Sequence, residues 1–262
     1  MSFPYWHQQT TEKPLFPEIA WQRPEQKALA GKLLIIGGNK LGFAAVAQGY
    51  NDALKAGAGE CRAILPEALK KVIDSQVLDC VFTPTNLSGG MSKESLPILK
   101  ASTAWADALL LIGDNGRNSE TAIVLEQLLA DTDKLAIITR DSIDLLKAST
   151  PRLLQRPQTV LIVTLAQLQK IFQAVYYPKT ILFSMQVSNL VETLHKFTIT
   201  YPVAIVVFHQ NQLIAAFAGT VTTSPWQEPM LIWRGTVAAR AAVYAMQQPK
   251  KVLESVTVSF QS

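Results

Sequence analysis

The sequence has little of what a metal site or a disulfide framework requires. Its 262 residues include two cysteines and three histidines. Cys61 and Cys80 lack the spacing of a zinc-binding motif, and two thiols in a chain of this length do not suggest a disulfide framework. We therefore expect buried, unpaired thiols. The histidines are far apart, and none is beside a recognisable nucleophile, so the sequence predicts no metal site.

Signals for export, membrane insertion and nucleic-acid binding are also missing. No apolar run approaches the ~18 residues that a membrane helix needs, and residues 1–7 have neither the charged nor the apolar region of a signal peptide. The net charge of +4 comes from 24 basic and 20 acidic residues without a long basic run, whereas nucleic-acid-binding surfaces cluster positive charge. We expect a cytoplasmic protein that binds neither membranes nor nucleic acids.

The composition favours one large domain. With 48% hydrophobic and 17% charged residues, the chain can bury a large core. Residues 1–31 form an aromatic, proline-bearing arm without clear periodicity, and residues 32–262 are predicted to form a single α/β domain. Because so many aromatic side chains rarely stay in water, the arm should lie over the domain or over a second copy of the chain. A homo-oligomer formed through the arm is therefore a hypothesis.

Short apolar runs alternate with helical patterns along the domain. Predicted strands occupy 32–36, 61–65, 80–83, 107–113, 135–139, 160–164, 201–208, 212–217 and 256–260. Predicted helices occupy 41–56, 119–129, 165–175 and 236–247, and another begins at Pro66-Glu67. Repeated βα units form a parallel sheet with helices on both faces, and ligands of such sheets bind outside the carboxyl ends of the strands.

The first predicted strand ends at the glycine pair Gly37-Gly38, followed by Asn39. Glycine at this point permits a sharp turn from strand to helix and close approach of a ligand to the backbone. The N-terminus of the next helix would favour an anionic or strongly polar ligand; alternatively, the pair is only a tight turn. The spacing of the glycines up to Gly42 does not match the dinucleotide fingerprint, so an NAD-dependent oxidoreductase is disfavoured.

A second glycine turn ends the strand at 107–113. If the turn is functional, a polar ligand is surrounded by Gly113, Asp114, Gly116 and Arg117. If the turn is only structural, Asp114 is a turn residue and Arg117 lies near the start of the next helix. Asp141 follows the next strand. It is either a ligand contact or the N-cap of its helix, since aspartate accepts hydrogen bonds from the free amides there.

Several motifs, in order, resemble those of the ADP- or ATP-dependent NAD(P)H-hydrate dehydratases, a ribokinase-like family that repairs hydrated nicotinamide cofactors. The similar stretches are Lys27 to Gly31, Leu33 to Gly38, Phe43-Ala44-Ala45, Gly57-Ala58-Gly59, Asp107-Ala108 with Ile112 to Arg117, and Thr139 to Ile143, where the family has Asp-Ala-Asp-Ala-Leu. The resemblance implies a three-layer ribokinase-like fold with a mainly parallel sheet, ADP or ATP with Mg²⁺ as cofactor, and a nicotinamide nucleotide as ligand. It also implies that Ala45 and Gly116 line the substrate pocket.

The departures from the family pattern fall on its functional motifs. The family's Thr-Pro-His is Thr164-Leu165-Ala166, and its Leu-Lys-Gly strand end is Val207-Phe208-His209. Its Gly-Gly-Ser-Gly-Asp loop supplies a phosphate cradle and a catalytic aspartate at a helix N-terminus. The corresponding stretch, 225–236, has one glycine and no aspartate, and Trp226 and Trp233 would fill space that the family leaves for phosphate.

Two classes of function remain open. In the first, the chain is a divergent nucleotide-dependent dehydratase or small-metabolite kinase, with Glu228 as base and Arg234 and Gly235 as nucleotide contacts. In the second, it is a non-catalytic relative that binds a metabolite or a protein partner, with Trp226 and Trp233 in an interface. Loss of the aspartate favours the second class, and the retained glycine turns favour the first.

Overall fold

The computed structural model describes residues 3–73 and 78–261 of the chain. The strands are β1 Trp6–Gln8, β2 Lys32–Gly37, β3 Glu60–Pro66, β4 Cys80–Thr83, β5 Ala108–Gly113, β6 Leu135–Thr139, β7 Thr159–Val163, β8 Val203–His209, β9 Gln212–Phe217 and β10 Thr220–Pro225. The α-helices are α1 Pro17–Trp21, α2 Ala44–Lys55, α3 Leu96–Trp105, α4 Ser119–Ala130, α5 Asp141–Leu145, α6 Thr150–Leu153, α7 Leu165–Ala174, α8 Val187–Thr200, α9 Pro229–Arg234, α10 Thr236–Gln247 and α11 Val252–Val258. Among these helices, none is long and apolar enough to cross a membrane.

All ten strands form one sheet in the order β1-β10-β9-β8-β7-β6-β5-β2-β3-β4. Of the strands described, β9 alone runs antiparallel to its neighbours. From β2 the chain moves outward to β3 and β4, and then returns to place β5 on the other side of β2. The strand order thus reverses between β2 and β5, and a crevice for ligands opens at such a reversal in α/β sheets.

Helices cover both faces of the sheet and complete three layers. One face packs against α2, α10 and α11 through a core that includes Val46, Ala242 and Val256. The other face packs against α3, α4, α7 and α8 through a second core centred on Phe172 and Phe197. The strands between them are buried on both sides, which is why their sequences are continuous apolar runs. The predicted three-layer arrangement with a mainly parallel sheet is confirmed.

The N-terminal arm lies against the body of the same chain. Strand β1 adds to the sheet edge by parallel pairing of Trp6 with Val221 on β10. The Tyr5 ring stacks on the His195 ring of α8, with 3.6 Å between the ring centroids. In α1, Ile19 is fully buried beside Tyr244 and Val258. The arm therefore supplies packing to the domain within a single copy of the chain.

Two sequence predictions about secondary structure are wrong. The final strand predicted at 256–260 is helix α11 followed by a 3₁₀ turn. Its β-branched residues favour a strand locally, but almost the whole helix is buried, and Thr257 Oγ1 donates to the Leu253 carbonyl at 2.7 Å; packing therefore overrides propensity. The helix expected at Pro66-Glu67 is one 3₁₀ turn, Glu67–Leu69, and residues 74–77 lie outside the described part.

Both thiols are unpaired. Cys61 is buried, as predicted, whereas Cys80 is only partly buried, so the prediction of burial is wrong for Cys80. Burial disfavours the charged thiolate, which raises the pKa of Cys61 to about 12 and also raises the pKa of Cys80. In the part of the chain that the structure describes, no group of three or more His, Cys, Asp and Glu residues is placed to hold a metal ion.

Candidate functional site

The two glycine turns meet at the reversal between β2 and β5. The Gly38 amide donates to the Gly113 carbonyl at 2.9 Å, so the two strand ends are joined directly. Gly113 has φ 100°, and a Cβ atom added to it would lie 2.2 Å from an oxygen of Asp141. The position therefore requires glycine both for its backbone conformation and for the close approach of Asp141.

Asp114 ties this turn to the start of α2. Its Oδ2 accepts a hydrogen bond from the Ala45 amide at 2.8 Å, and the Asn39 side chain donates to its carbonyl at 2.6 Å. A Cβ atom at Gly116 would lie 3.0 Å from Asn39 Nδ2. The sequence predicts an anionic ligand at the N-terminus of this helix. In the structure a carboxylate of the chain itself occupies that position, as expected from the helix dipole.

Asp141 fixes the same loop from the next strand end. Its two oxygens accept from the Asp114 and Asn115 amides at 2.8 and 2.9 Å. The N-cap prediction for Asp141 is wrong, because the N-cap position belongs to Arg140 and Asp141 is the first residue of α5. Burial raises the pKa of Asp141, and the Asp114 charge adds to this, while the two amides and Arg140 oppose it.

Arg140 is the residue of this region that sequence analysis missed. Its Nη2 donates to Asp114 Oδ1 at 2.6 Å, and its Nη1 donates to the Trp233 carbonyl. Its backbone has φ 56° and ψ −138°, a conformation that costs a residue with a Cβ atom roughly 1–3 kcal/mol and that clusters at binding sites. The family pattern has alanine at this position, so the resemblance gave no reason to select Arg140.

Helix α10 begins beside Arg140. Gly235 has φ 93° and precedes the helix, and a Cβ atom added to it would lie 3.9 Å from Arg140 Cδ. Thr236, the next residue, ends the stretch 225–236, which corresponds by resemblance to the loop that carries the catalytic aspartate. Thr236 is 4% exposed, and its Oγ1 has no hydrogen-bond partner in the described part of the chain. A buried, unpaired hydroxyl at a helix N-terminus suits a polar ligand.

These residues form one contiguous group, which we call the carboxyl-edge cluster. It consists of Gly38, Asn39, Ala45, Gly113, Asp114, Gly116, Arg140, Asp141, Gly235 and Thr236. Seven of its ten members are substrate-binding residues predicted from sequence, which the structure brings together.

Arg117 lies outside this cluster, in a cavity next to it. It is exposed and lines a cavity of about 910 Å³ between α4, α5 and α7, together with Gly116, Asp141 and Lys170. Lys170 pairs with Asp144 at 2.7 Å. Lys170 and Gln167 bind the Asp144 carboxylate and hold its pKa below the usual range, although its partial burial opposes this. The cavity adjoins the carboxyl-edge cluster through Gly116 and Asp141.

The altered loop places its remaining candidates outside the cluster. Glu228 is exposed at the start of α9, and Arg234 is exposed at its end. The six residues of α9 span roughly 9 Å along a helix axis, which separates Glu228 from the start of α10. Trp226 is buried and donates to the Glu228 carbonyl at 2.8 Å, so it packs in the core, whereas Trp233 is half exposed.

No protein-family profile matches the chain, and no curated protein matches it. Solved structures do. A ribokinase-like superfamily protein from Enterococcus faecalis V583 is 17% identical with a TM-score of 0.72, covering 99% of this chain and 87% of its own. An ADP/ATP-dependent NAD(P)H-hydrate dehydratase from Bacillus subtilis, co-crystallised with ATP and Mg²⁺, is 12% identical with a TM-score of 0.63, covering 93% and 83%. A phosphomethylpyrimidine kinase from Clostridium difficile 630 is 12% identical with a TM-score of 0.57, covering 88% and 97%.

The likeness to these structures confirms the predicted ribokinase-like fold. The matches include both a dehydratase and a kinase. Because one fold hosts different activities, the function has to be argued from the residues of the site.

Proposed function

We propose that this chain binds a phosphate-bearing nucleotide at the carboxyl-edge cluster and does not carry out the dehydration that the resemblance implies. The observation that carries this proposal is the start of α10, where Gly235 is followed by Thr236. A threonine hydroxyl is not among the groups that act as a general base near neutral pH. The position therefore keeps a polar contact for a ligand and lacks the proton acceptor.

The two carboxylates of the cluster also support the loss of the base. Asp114 is engaged by Arg140 and by the Ala45 amide, and Asp141 is engaged by two backbone amides. Each carboxylate holds the loop in place, and its oxygens already accept hydrogen bonds. Glu228 lies at the far end of α9 from Gly235.

The donors of the cluster support the binding of phosphate. Thr236 Oγ1 and Arg140 Nε are buried without a hydrogen-bond partner among the described residues, and both lie beside Gly235 or its neighbours at the N-terminus of α10. Backbone amides at a helix N-terminus and an arginine are the groups that bind phosphate in proteins. The Bacillus subtilis dehydratase of the same fold was crystallised with ATP and Mg²⁺.

A Mg²⁺ ion that accompanied the nucleotide would be held mainly by phosphate oxygens and water. This follows because Mg²⁺ retains several waters and binds through one or two carboxylates plus substrate phosphates. Asp114 is the carboxylate of the cluster that can serve this purpose once it is released from Arg140.

The second candidate is a divergent dehydratase or kinase that uses Glu228 as its base and Arg234 as an anion contact. The exposure of both side chains favours it, because an exposed side chain is accessible to a ligand from solvent. A nicotinamide nucleotide would then be the substrate. The two candidates differ in turnover and agree on nucleotide binding.

A thermal-shift series tests the proposal, with ATP, ADP and AMP added in the presence of Mg²⁺. A ligand at 100 times its Kd stabilises the folded state by about 2.7 kcal/mol, so we expect the melting temperature to rise by about 5–10 °C with at least one nucleotide. The same samples should show no conversion of hydrated NADH. Turnover that disappears in Glu228→Gln would instead establish the second candidate.

A further inference from the structure

We propose that Arg140 selects the phosphate group of the ligand, and that Asp114 competes with that phosphate for the same donors. This inference rests on the proposed function and assigns its binding residue. Arg140 departs from the family pattern, so the assignment comes from the contacts of this chain. A bound phosphate would replace the Asp114 carboxylate on the Arg140 guanidinium and on the Ala45 amide.

On one edge of the Arg140 guanidinium, only one of the two N–H donors has a hydrogen-bond partner. Its Nη2 donates to Asp114 Oδ1 at 2.6 Å, while Nε, on the same edge, is buried with no partner in the described part of the chain. Nη1 is engaged by the Trp233 carbonyl. Arginine binds phosphate through two parallel N–H donors. A phosphate in the place of the Asp114 carboxylate can bind both Nη2 and Nε, which Asp114 does not do.

The surroundings hold the Arg140 backbone in position. Its carbonyl accepts from Gln167 Nε2 at 2.8 Å and from the Ile143 amide at 3.2 Å. A Cβ atom at Gly113 would lie 3.3 Å from Arg140 Nε, so the glycine leaves room for the guanidinium. Local strain in the backbone of a residue fixed by its neighbours is characteristic of binding sites.

A second group of donors begins beside the Arg140 side chain. Helix α10 starts at Thr236, directly after Gly235, which adjoins the Arg140 side chain. Thr236 Oγ1 is buried and unpartnered among the described residues. A phosphate on Arg140 would therefore also meet the positive end of a helix of twelve residues.

The test measures ATP affinity by calorimetry in the unmodified protein and in three variants. Loss of a charge-assisted hydrogen-bond pair weakens binding by about 10-fold to 100-fold, and we expect this for Arg140→Gln. Measured without Mg²⁺ in both proteins, Asp114→Asn is expected to bind ATP about 3-fold to 10-fold more tightly than wild type, because a neutral amide competes less for the guanidinium. Arg152→Gln removes an exposed positive charge of α6 that pairs with Glu126 and should change affinity less than twofold.

The outcomes separate this inference from the proposed function. If wild-type protein binds ATP and Arg140→Gln binds it as Arg152→Gln does, the proposed function stands and the role of Arg140 is wrong; lower thermal stability alone would then make the ion pair structural. If wild-type protein gives no heat with ATP, the proposed function is wrong. A titration of the Asp114→Asn variant with pyrophosphate then tests the role of Arg140. If this variant binds pyrophosphate and the Asp114→Asn, Arg140→Gln double variant does not, the role of Arg140 is supported. If Asp114→Asn does not bind pyrophosphate, the role of Arg140 is wrong.

Discussion

Replacing Gly113 with alanine is expected to destabilise the protein by about 4 kcal/mol or more, or to prevent folding. The new Cβ atom would lie 2.2 Å from Asp141 Oδ1, in a backbone with φ 100°. The strained backbone costs about 1–3 kcal/mol, and displacing Asp141 removes its hydrogen bonds to two partly buried amides, at about 1–3 kcal/mol each. Chemical denaturation with guanidinium chloride measures the change.

Gly42 provides the matched control in the neighbouring loop. A Cβ atom there would meet no heavy atom within 4 Å, and its φ lies outside the left-handed region. Alanine at such a position restricts the unfolded chain and stabilises the fold by about 0.4–1 kcal/mol. Equal effects of Gly113→Ala and Gly42→Ala would contradict the described contact between Gly113 and Asp141.

Deleting residues 2–23 is expected to lower stability by about 5 kcal/mol and the melting temperature by about 10–20 °C. The deletion removes the pairing of β1 with β10 and the buried side chain of Ile19. It also removes Gln9, whose side chain donates to Ser224 and to the Thr257 carbonyl. Differential scanning calorimetry measures the melting temperature, and light scattering measures the mass in solution.

Two single substitutions in α1 make this result specific. Ile19→Ala should cost about 2–4 kcal/mol because Ile19 is fully buried. Trp21→Ala should change stability by less than about 0.5 kcal/mol, since Trp21 is 82% exposed. If the deletion left melting unchanged and halved the mass, the arm would belong to an interface between copies, as the oligomer hypothesis holds, and not to the packing of one copy.

The sequence predicts the sheet well because buried strands leave a local signal. Strand β5, for example, is covered by helices on both faces, and all its residues are buried and apolar up to the closing glycine. For helix α11, in contrast, the local signal predicts the wrong structure. Its valines and Thr257 favour a strand locally, and only contacts distant in sequence, such as the bond between Thr257 and Thr222, determine that it packs as a helix.

Part of the candidate site was visible in the sequence for a similar reason. Glycine turns at strand ends identify Gly38, Gly113 and Gly116, because parallel strands end at a common edge. Arg140 has no such signal. Its importance comes from Asp114 and Trp233, which are distant in sequence. The contact of Asp141 with the loop amides could not be predicted either, because an aspartate side chain suits both a helix N-cap and a hydrogen bond to loop amides.

Calorimetric titration of the wild-type protein with ATP and with adenosine, both with Mg²⁺, tests the central claim most directly. The two ligands share the base and the sugar and differ in phosphate. We expect saturable micromolar binding of ATP and at least 10-fold weaker binding of adenosine, because the donors of the carboxyl-edge cluster recognise phosphate. Equal affinities, or no heat from either ligand, would contradict a phosphate-binding site at this edge of the sheet.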